Sequence, residues 1–263
     1  MNLNIKGNSA IVTASSSGLG KAAATALVKE GVNVVINGRD PNKLNKTLQE
    51  LKNLNGGKVI SCQGDITKKE DIKKLVKIAV DNFKRLDHLV TSAGGPPAKS
   101  FVETTEADWY NSYELLVMSV VRLVKESLSY LKEDGGGTIV NITSISVKEA
   151  IDNLVLSNSI RMTVIGLMKT LSKELAPEIR ANAVLPGSHE TSRIKDLIQS
   201  QVENGEFESY QKGLTAKSKS VPLKKIGTPK NLGDLIAFLS SPKSAYINGS
   251  SIVVDGGESS SNL

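Results

Sequence analysis

The sequence predicts a doubly wound α/β fold of Rossmann type, a parallel sheet of about seven strands with helices on both faces, in a single domain spanning residues 1–263. Three observations carry that expectation. Short β-rich apolar runs alternate with segments of helical period, a glycine-bearing turn follows the first run, and no linker, low-complexity tract or repeat divides the chain.

The strand candidates are residues 9–13, 32–36, 58–62, 86–91, 138–143, 181–185 and 251–254, and each carries valine or isoleucine. A helical stretch between consecutive runs makes each connection a crossover, which sets successive strands parallel. One stretch departs from the rhythm. Between Pro186 and Pro222 there is no strand candidate, only polar helical stretches at 193–202 and 206–219, so residues 188–220 are expected to form a helical, substrate-side lid at a strand's carboxyl end. Its Arg193, Lys195 and Lys212 either attract anions or face water.

Composition excludes several classes of function. Hydrophobic residues make up 39% and charged residues 23%, and no apolar run approaches the ~20 residues of a membrane span. The first residues lack a basic segment followed by an apolar one, so a cytoplasmic protein is expected. A single cysteine, Cys62, forbids an internal disulfide, and two distant histidines, His88 and His189, leave no metal-binding cluster. The formal charge of +6 invites a nucleic-acid reading, but the lysines are dispersed, and one Trp, five Tyr and four Phe offer few stacking platforms. No nucleic acid, membrane or metal partner is expected; His88 and Cys62 read as packing residues.

The first chemical signal is the run Thr13, Ala14, Ser15, Ser16, Ser17, Gly18, Leu19, Gly20, which follows strand one and opens a helix. Glycines there let backbone N–H groups approach a pyrophosphate, and the helix N-terminus favours the anion. The second strand ends in Gly38, Arg39 and Asp40, with Arg39 19 positions past Gly20, where dinucleotide folds read the ribose. Gly38 occupies the slot of the acid that would bind a 2′-hydroxyl, and the Arg39 guanidinium suits a 2′-phosphate, which favours NADP(H) over NAD(H). Arg39 reads alternatively as a surface ion pair with Asp40.

Further along the chain stand Asp65 beside Ile66, the run Ser92, Ala93 and Gly94, Ser144, Pro186 and Gly187 followed by Thr191, and the closing Tyr246-Ile-Asn-Gly249 and Val254-Asp-Gly-Gly257. With these and the 13–20 turn, in which Ala14 replaces a glycine, the sequence resembles across its whole length the short-chain dehydrogenase/reductase family. The resemblance implies that Asp65 meets the adenine, Ala93 and Gly94 a ribose, and the 186–191 segment the nicotinamide end. It further implies a homo-oligomer, tetramer or dimer, packed through helices at 106–132 and 153–176, the apolar run 115–124 suiting either such packing or an ordinary core.

The family's catalytic pattern is broken. Its tyrosine, 13 residues after the serine equivalent to Ser144, falls on Ser157, and its lysine, four later, falls on Arg161. Its helical asparagine falls on Leu116. A serine hydroxyl is a far weaker acid than a phenol of pKa about 10, and a guanidinium does not release its proton. Arg161 could still bind ribose hydroxyls or a substrate carboxylate, and Ser144 either polarises a carbonyl or caps its turn. Lys148, Glu149 and His189 are candidate replacements for the missing acid. The expected function is NADP(H)-dependent hydride transfer to or from a carbonyl or alcohol carbon of a small molecule, with Ser144, Ser157 and Arg161 as the catalytic set. The alternative is a catalytically impaired NADP(H)-binding protein acting as sensor, scaffold or oligomer partner.

Overall fold

In a computed structural model that describes residues 1–133 and 135–262, the side chain of Arg193 excepted, the β-rich runs pair into one parallel sheet. Among the described residues it has seven strands, β1 (Ser9–Val12), β2 (Asn33–Gly38), β3 (Val59–Gln63), β4 (His88–Thr91), β5 (Gly137–Ile142), β6 (Ile179–Pro186) and β7 (Ser251–Val254), in the order β3-β2-β1-β4-β5-β6-β7. The order reverses between β1 and β4, so the connections leaving these two neighbours turn to opposite sides and open a crevice at their carboxyl ends.

The helices are α1 (Gly18–Lys29), α2 (Pro41–Lys52), α3 (Lys69–Phe83), α4 (Glu106–Tyr113), α5 (Ser119–Leu131), α6 (Val155–Glu174), α7 (Ser192–Glu203), α8 (Tyr210–Ser220) and α9 (Pro229–Ser240). Alternate strand residues feed two cores. Ile11, Val35, Leu89 and Ile139 pack with Leu75 of α3, Leu123 of α5 and Val164 of α6. Their neighbours Val12, Val34, Val90 and Val140 face the other way, onto Leu27 of α1 and Leu232 and Ile236 of α9. Burial on both faces explains why these strands read as continuous apolar runs.

Helix starts follow capping chemistry. Asp40 Oδ1 accepts the N–H groups of Asn42 (2.9 Å) and Lys43 (3.1 Å) at the head of α2, and Thr105 and Asp108 form a reciprocal capping box on α4. The segment expected as one helix at 106–132 is helical but passes through a π turn, Glu114–Met118, between α4 and α5. Within the run 115–124, Leu116, Val117, Val120, Leu123 and Val124 are core residues. Strand β2 extends past residue 36 because Asn37 and Gly38 pair with Cys62 and Gln63. Helix α8 begins at Tyr210 rather than 206, where the Ser209 hydroxyl accepts the Lys212 N–H (3.3 Å). Among the described residues, no helix is long and apolar enough to cross a membrane.

Cys62 lies in the core. His88, at the amino end of β4, is buried and meets Asn8 Nδ2 through Nε2 (3.0 Å) and Thr138 Oγ1 through Nδ1 (2.9 Å). An amide nitrogen only donates, so Nε2 is the acceptor and Nδ1 carries the proton of a neutral ring. Burial pushes the His88 pKa down to about 4; Asp87 opposes this, and Arg180 and Arg85 reinforce it. The unfolded chain takes up this proton below about 6.5 and the folded chain only below about 4, so the stabilisation is complete above pH 6.5 and is lost as pH falls through that window. Urea unfolding should show the stability gap between the unmutated chain and His88→Gln shrinking by about 3 kcal/mol from pH 7 to pH 4. Parallel pH profiles would contradict a neutral buried ring.

Candidate functional site at the carboxyl edge of the sheet

The turn from β1 into α1 is held by side chains that bind backbone. Thr13 Oγ1 donates to Ser92 O (2.7 Å) and accepts the Ser92 N–H (2.8 Å), tying β1 to the end of β4. Ser15 N donates to Asn37 O (2.8 Å) and Ser15 Oγ accepts the Asn37 N–H (2.9 Å), tying the turn to β2. Ala14 adopts φ +45°, a left-handed conformation that disfavours a side chain, and Gly18 adopts φ +57°. A Cβ on Gly20 would fall 2.5 Å from Ala14 O, so only glycine lets the first turn of α1 pass this close to the loop.

The head of α1 has the electrostatics of an anion site. The N-cap Ser17 makes no side-chain capping bond, the first turn holds no acid, and Lys21 stands there paired with Glu50. A cation at a helix N-terminus opposes the helix dipole, an arrangement that suits an external anion. Beside it runs a groove of about 880 Å³ lined in part by Ser17, Gly18, Lys21, Thr191 and Lys195. The Thr191 methyl would touch a Cβ on Gly18 at 3.7 Å, placing the start of α7 over the turn next to Leu19.

At the end of β2, Gly38 is buried, and a Cβ there would lie 2.8 Å from Ser16 Oγ and 2.9 Å from Ser16 Cβ. A side chain at that position would require Ser16 to shift. Arg39 is exposed, and Asp40 is engaged in capping α2. Asp65 Oδ1 accepts the N–H and hydroxyl of Thr67 (both 2.9 Å); burial pushes its pKa up, but these bonds and the Arg39 charge outweigh that and hold it below its ordinary value. Ile66 is buried beside it, Ser92 is buried, Ala93 is half-buried, and Gly94 is exposed, with no atom within 4 Å of where a Cβ would stand. These residues follow the carboxyl ends of strands β1 to β4.

Of the three expected catalytic residues, Ser157 and Arg161 are bonded to each other, and Ser144 is linked to them through Ser146. Ser144 caps a short helical turn, its Oγ accepting the Ser146 N–H (3.1 Å). Ser157 Oγ accepts from Arg161 Nε (3.2 Å) and shares a hydrogen bond with Ser146 Oγ (2.9 Å). Arg161 also donates to Ile142 O and Gly94 O (3.5 Å each), bridging the ends of β5 and β4. Ser157 is 6% exposed and Arg161 8%. Leu116 and Arg161 line a cavity of about 10 Å³ with Asn141, whose Oδ1 has no partner among the described residues.

Of the candidate replacement acids, His189 is buried after β6, its Nδ1 against Gly187 O (3.1 Å) and its ring against Gly227. Glu149 accepts the Ser260 N–H (2.9 Å). Sequence reasoning missed Ser146, which is nonadjacent to Ser157 and only one of several serines in its loop, and it missed Glu258, which grips Ser188 from 70 positions away. Neither carries a local signal.

Comparison with known proteins agrees with this fold. A family model described as enoyl-(acyl carrier protein) reductase matches residues 13–259. The chain is 29% identical to the 7α-hydroxysteroid dehydrogenase of Escherichia coli K12 (97% of this chain, 96% of the relative) and 32% identical to glucose 1-dehydrogenase 2 of Bacillus subtilis 168 (97% and 95%). Its fold is similar to that of L-sorbose reductase from Gluconobacter frateurii solved with NADPH and L-sorbose, at TM-score 0.94 and 27% identity over 99% of this chain and 100% of that one. It is also similar to a 7α-hydroxysteroid dehydrogenase solved with NADH and 7-oxo glycochenodeoxycholic acid, at TM-score 0.87 and 27% identity over 97% and 96%.

The turn predicts two substitutions of opposite sign. Ala14→Gly removes the left-handed penalty and should raise stability by up to about 1 kcal/mol, whereas Gly20→Ala drives a methyl into Ala14 O and should lower it by about 1–3 kcal/mol. Urea unfolding of both variants checks this; the same sign for both would contradict the turn's geometry.

Proposed function

The chain belongs to the short-chain dehydrogenase/reductase family, and from that premise we propose that it is an NADP(H)-dependent oxidoreductase acting on a carbonyl or alcohol carbon of a small molecule. The observation that carries the cofactor choice is the end of β2, where Gly38 is packed against Ser16 and Arg39 is exposed. An NAD site needs an acid in that slot, and a 2′-phosphate needs a cation beside it. Thr13 and residues 15–20 would hold the pyrophosphate, Arg39 the 2′-phosphate, Asp65 and Ile66 the adenine, and Ser92, Ala93 and Gly94 a ribose. Arg161, Pro186, Gly187 and Thr191 would meet the nicotinamide half, with residues 188–220 as the lid.

The bound nicotinamide would supply the hydride, while the protein orients substrate and handles charge. Ser144 would stabilise charge developing on a carbonyl oxygen. Arg161 keeps its proton and acts by its fixed charge and its bond to Ser157. General acid catalysis is typically worth about 10²–10⁴ in rate, whereas holding reactants in attack geometry supplies about 7–11 kcal/mol, so turnover survives the missing phenol at reduced speed.

A second reading, an impaired NADP(H)-binding protein, is favoured by one observation: the polar atoms of Ser157 and Arg161 are buried and bonded within the chain. A homo-oligomer is supported by exposed apolar residues at two places, Phe101, Val102, Tyr110 and Met162 around α4 and α6, and Tyr246 and Val253 around β7.

Calorimetry should find NADP(H) bound at least about tenfold more tightly than NAD(H), with Arg39→Ala erasing most of the difference. Equal affinities in the unmutated protein would overturn the cofactor assignment. On any substrate found in a panel of sugars, hydroxy acids, acyl thioesters and steroids, Ser144→Ala should lower turnover by about 10²-fold while leaving NADP(H) affinity within about threefold. Tight NADP(H) binding without absorbance change at the nicotinamide band for any panel member would favour the binding protein.

A further inference from the structure

We infer that Glu258 is a positioning residue, fixing the turn at 186–188 and tying α8 to it, so that the segment after β7 is part of the substrate-side architecture. The inference rests on the reading that this turn meets the nicotinamide half of the cofactor. After β7 the chain folds back on itself. The Asp255 carboxylate accepts the N–H groups of Gly257 and Ser259 (2.8 Å each) and the Ser259 hydroxyl (2.7 Å), and Gly256 and Gly257 take positive φ to allow it.

The resulting loop touches both ends of the 188–220 excursion. At its exit, Leu223 N donates to Gly256 O (3.3 Å), and a Cβ on Gly256 would fall 2.8 Å from Val221. At its entrance, a Cβ on Gly187 would fall 2.5 Å from Asp255 Cβ and 2.7 Å from Glu258 Oε2, so the loop lies directly on the glycine of the turn. Glu258 Oε2 accepts the Ser188 N–H (2.7 Å) and Oε1 the Ser188 hydroxyl (2.6 Å). Oε1 also lies 3.7 Å from Lys217 Nζ on α8. Two residues on, Ser260 N reaches Glu149 in the loop after Ser144.

One carboxylate therefore satisfies a buried backbone donor and a buried hydroxyl of Ser188 while attracting a cation from α8. Charge-assisted bonds of this kind are the strong ones, and a buried N–H without its acceptor is costly. The entrance is independently pinned where Gly227 N donates to Ser188 O and Glu190 N to Gly227 O (2.8 Å each). Losing Glu258 should thus loosen the turn and α8 without unfolding the sheet.

Hydrogen exchange on Glu258→Ala should show the Ser188 amide and those of α8 exchanging at least about tenfold faster, with the β1, β4 and β5 amides unchanged. Glu258→Gln keeps one acceptor oxygen for the Ser188 N–H and brings an amide NH₂ that the Ser188 oxygen can accept, but loses the charge facing Lys217, so it should protect Ser188 while freeing α8. In parallel titrations, Glu258→Ala should weaken NADP(H) about fivefold or more and leave 2′,5′-ADP, which lacks the nicotinamide half, within about twofold. Unchanged exchange in both variants would overturn the inference, and so would equal weakening of NADP(H) and 2′,5′-ADP. If the unmutated chain binds neither nucleotide, the cofactor reading fails, and the exchange data alone decide whether Glu258 holds the turn.

Discussion

The turn between β1 and α1 is the constraint on which the site depends. Its side-chain hydroxyls take the place of strand pairing that ends here: Thr13 clasps Ser92 of the neighbouring connection, and Ser15 clasps Asn37 of β2. The ends of three strands are thereby fixed to one loop. Gly20 then lets α1 start within contact of Ala14 O, which aims the helix N-terminus along the carboxyl edge. Ala14, left-handed without being glycine, shows that the turn's geometry is imposed by these bonds rather than by local preference.

Ser157 and Arg161, the positions expected to be catalytic, extend the same logic of bonds that tie loops together. Arg161 reaches from α6 to carbonyls at the ends of β4 and β5 and to Ser157, so its guanidinium is a strut between the loops that flank the crevice. A lysine carries its three donors on one nitrogen, whereas the planar fork of arginine spreads five over three nitrogens and spans carbonyls on separate loops. With Ser146 on its other side, the Ser157 hydroxyl belongs to a bonded chain of polar groups rather than standing alone. Under the proposed function this arrangement would favour charge stabilisation by fixed dipoles and a fixed cation, with proton transfer as the weaker component.

The fold was legible because a parallel sheet buried on both faces writes valine- and isoleucine-rich runs, and β1 and β5 show this directly. Strand ends were less so: β2 continues through Asn37 and Gly38 because of partners on β3, which no local pattern of residues 33–38 announces. The 13–20 turn was visible as glycines following the first strand, and the bond between Arg161 and Ser157 follows from their four-residue spacing, since α6 keeps them one turn apart on the same face. The roles of Ser146, Glu258 and the π turn were not, because each depends on contacts made after the chain has folded. Asp40, which sequence left open as a partner for Arg39, caps α2 instead.

The central claim is that the 13–20 turn and the exposed Arg39 together bind a phosphorylated nicotinamide dinucleotide at the carboxyl edge. An amide-resolved NMR titration of the 28.0 kDa chain with NADP⁺ tests it most directly. Saturable shifts should concentrate on the amides of Ser17, Gly18, Leu19, Gly20 and Arg39, with the amino-end residues Asn8 and His88 unmoved. Saturable shifts centred elsewhere on the molecule, or none at all, would contradict it.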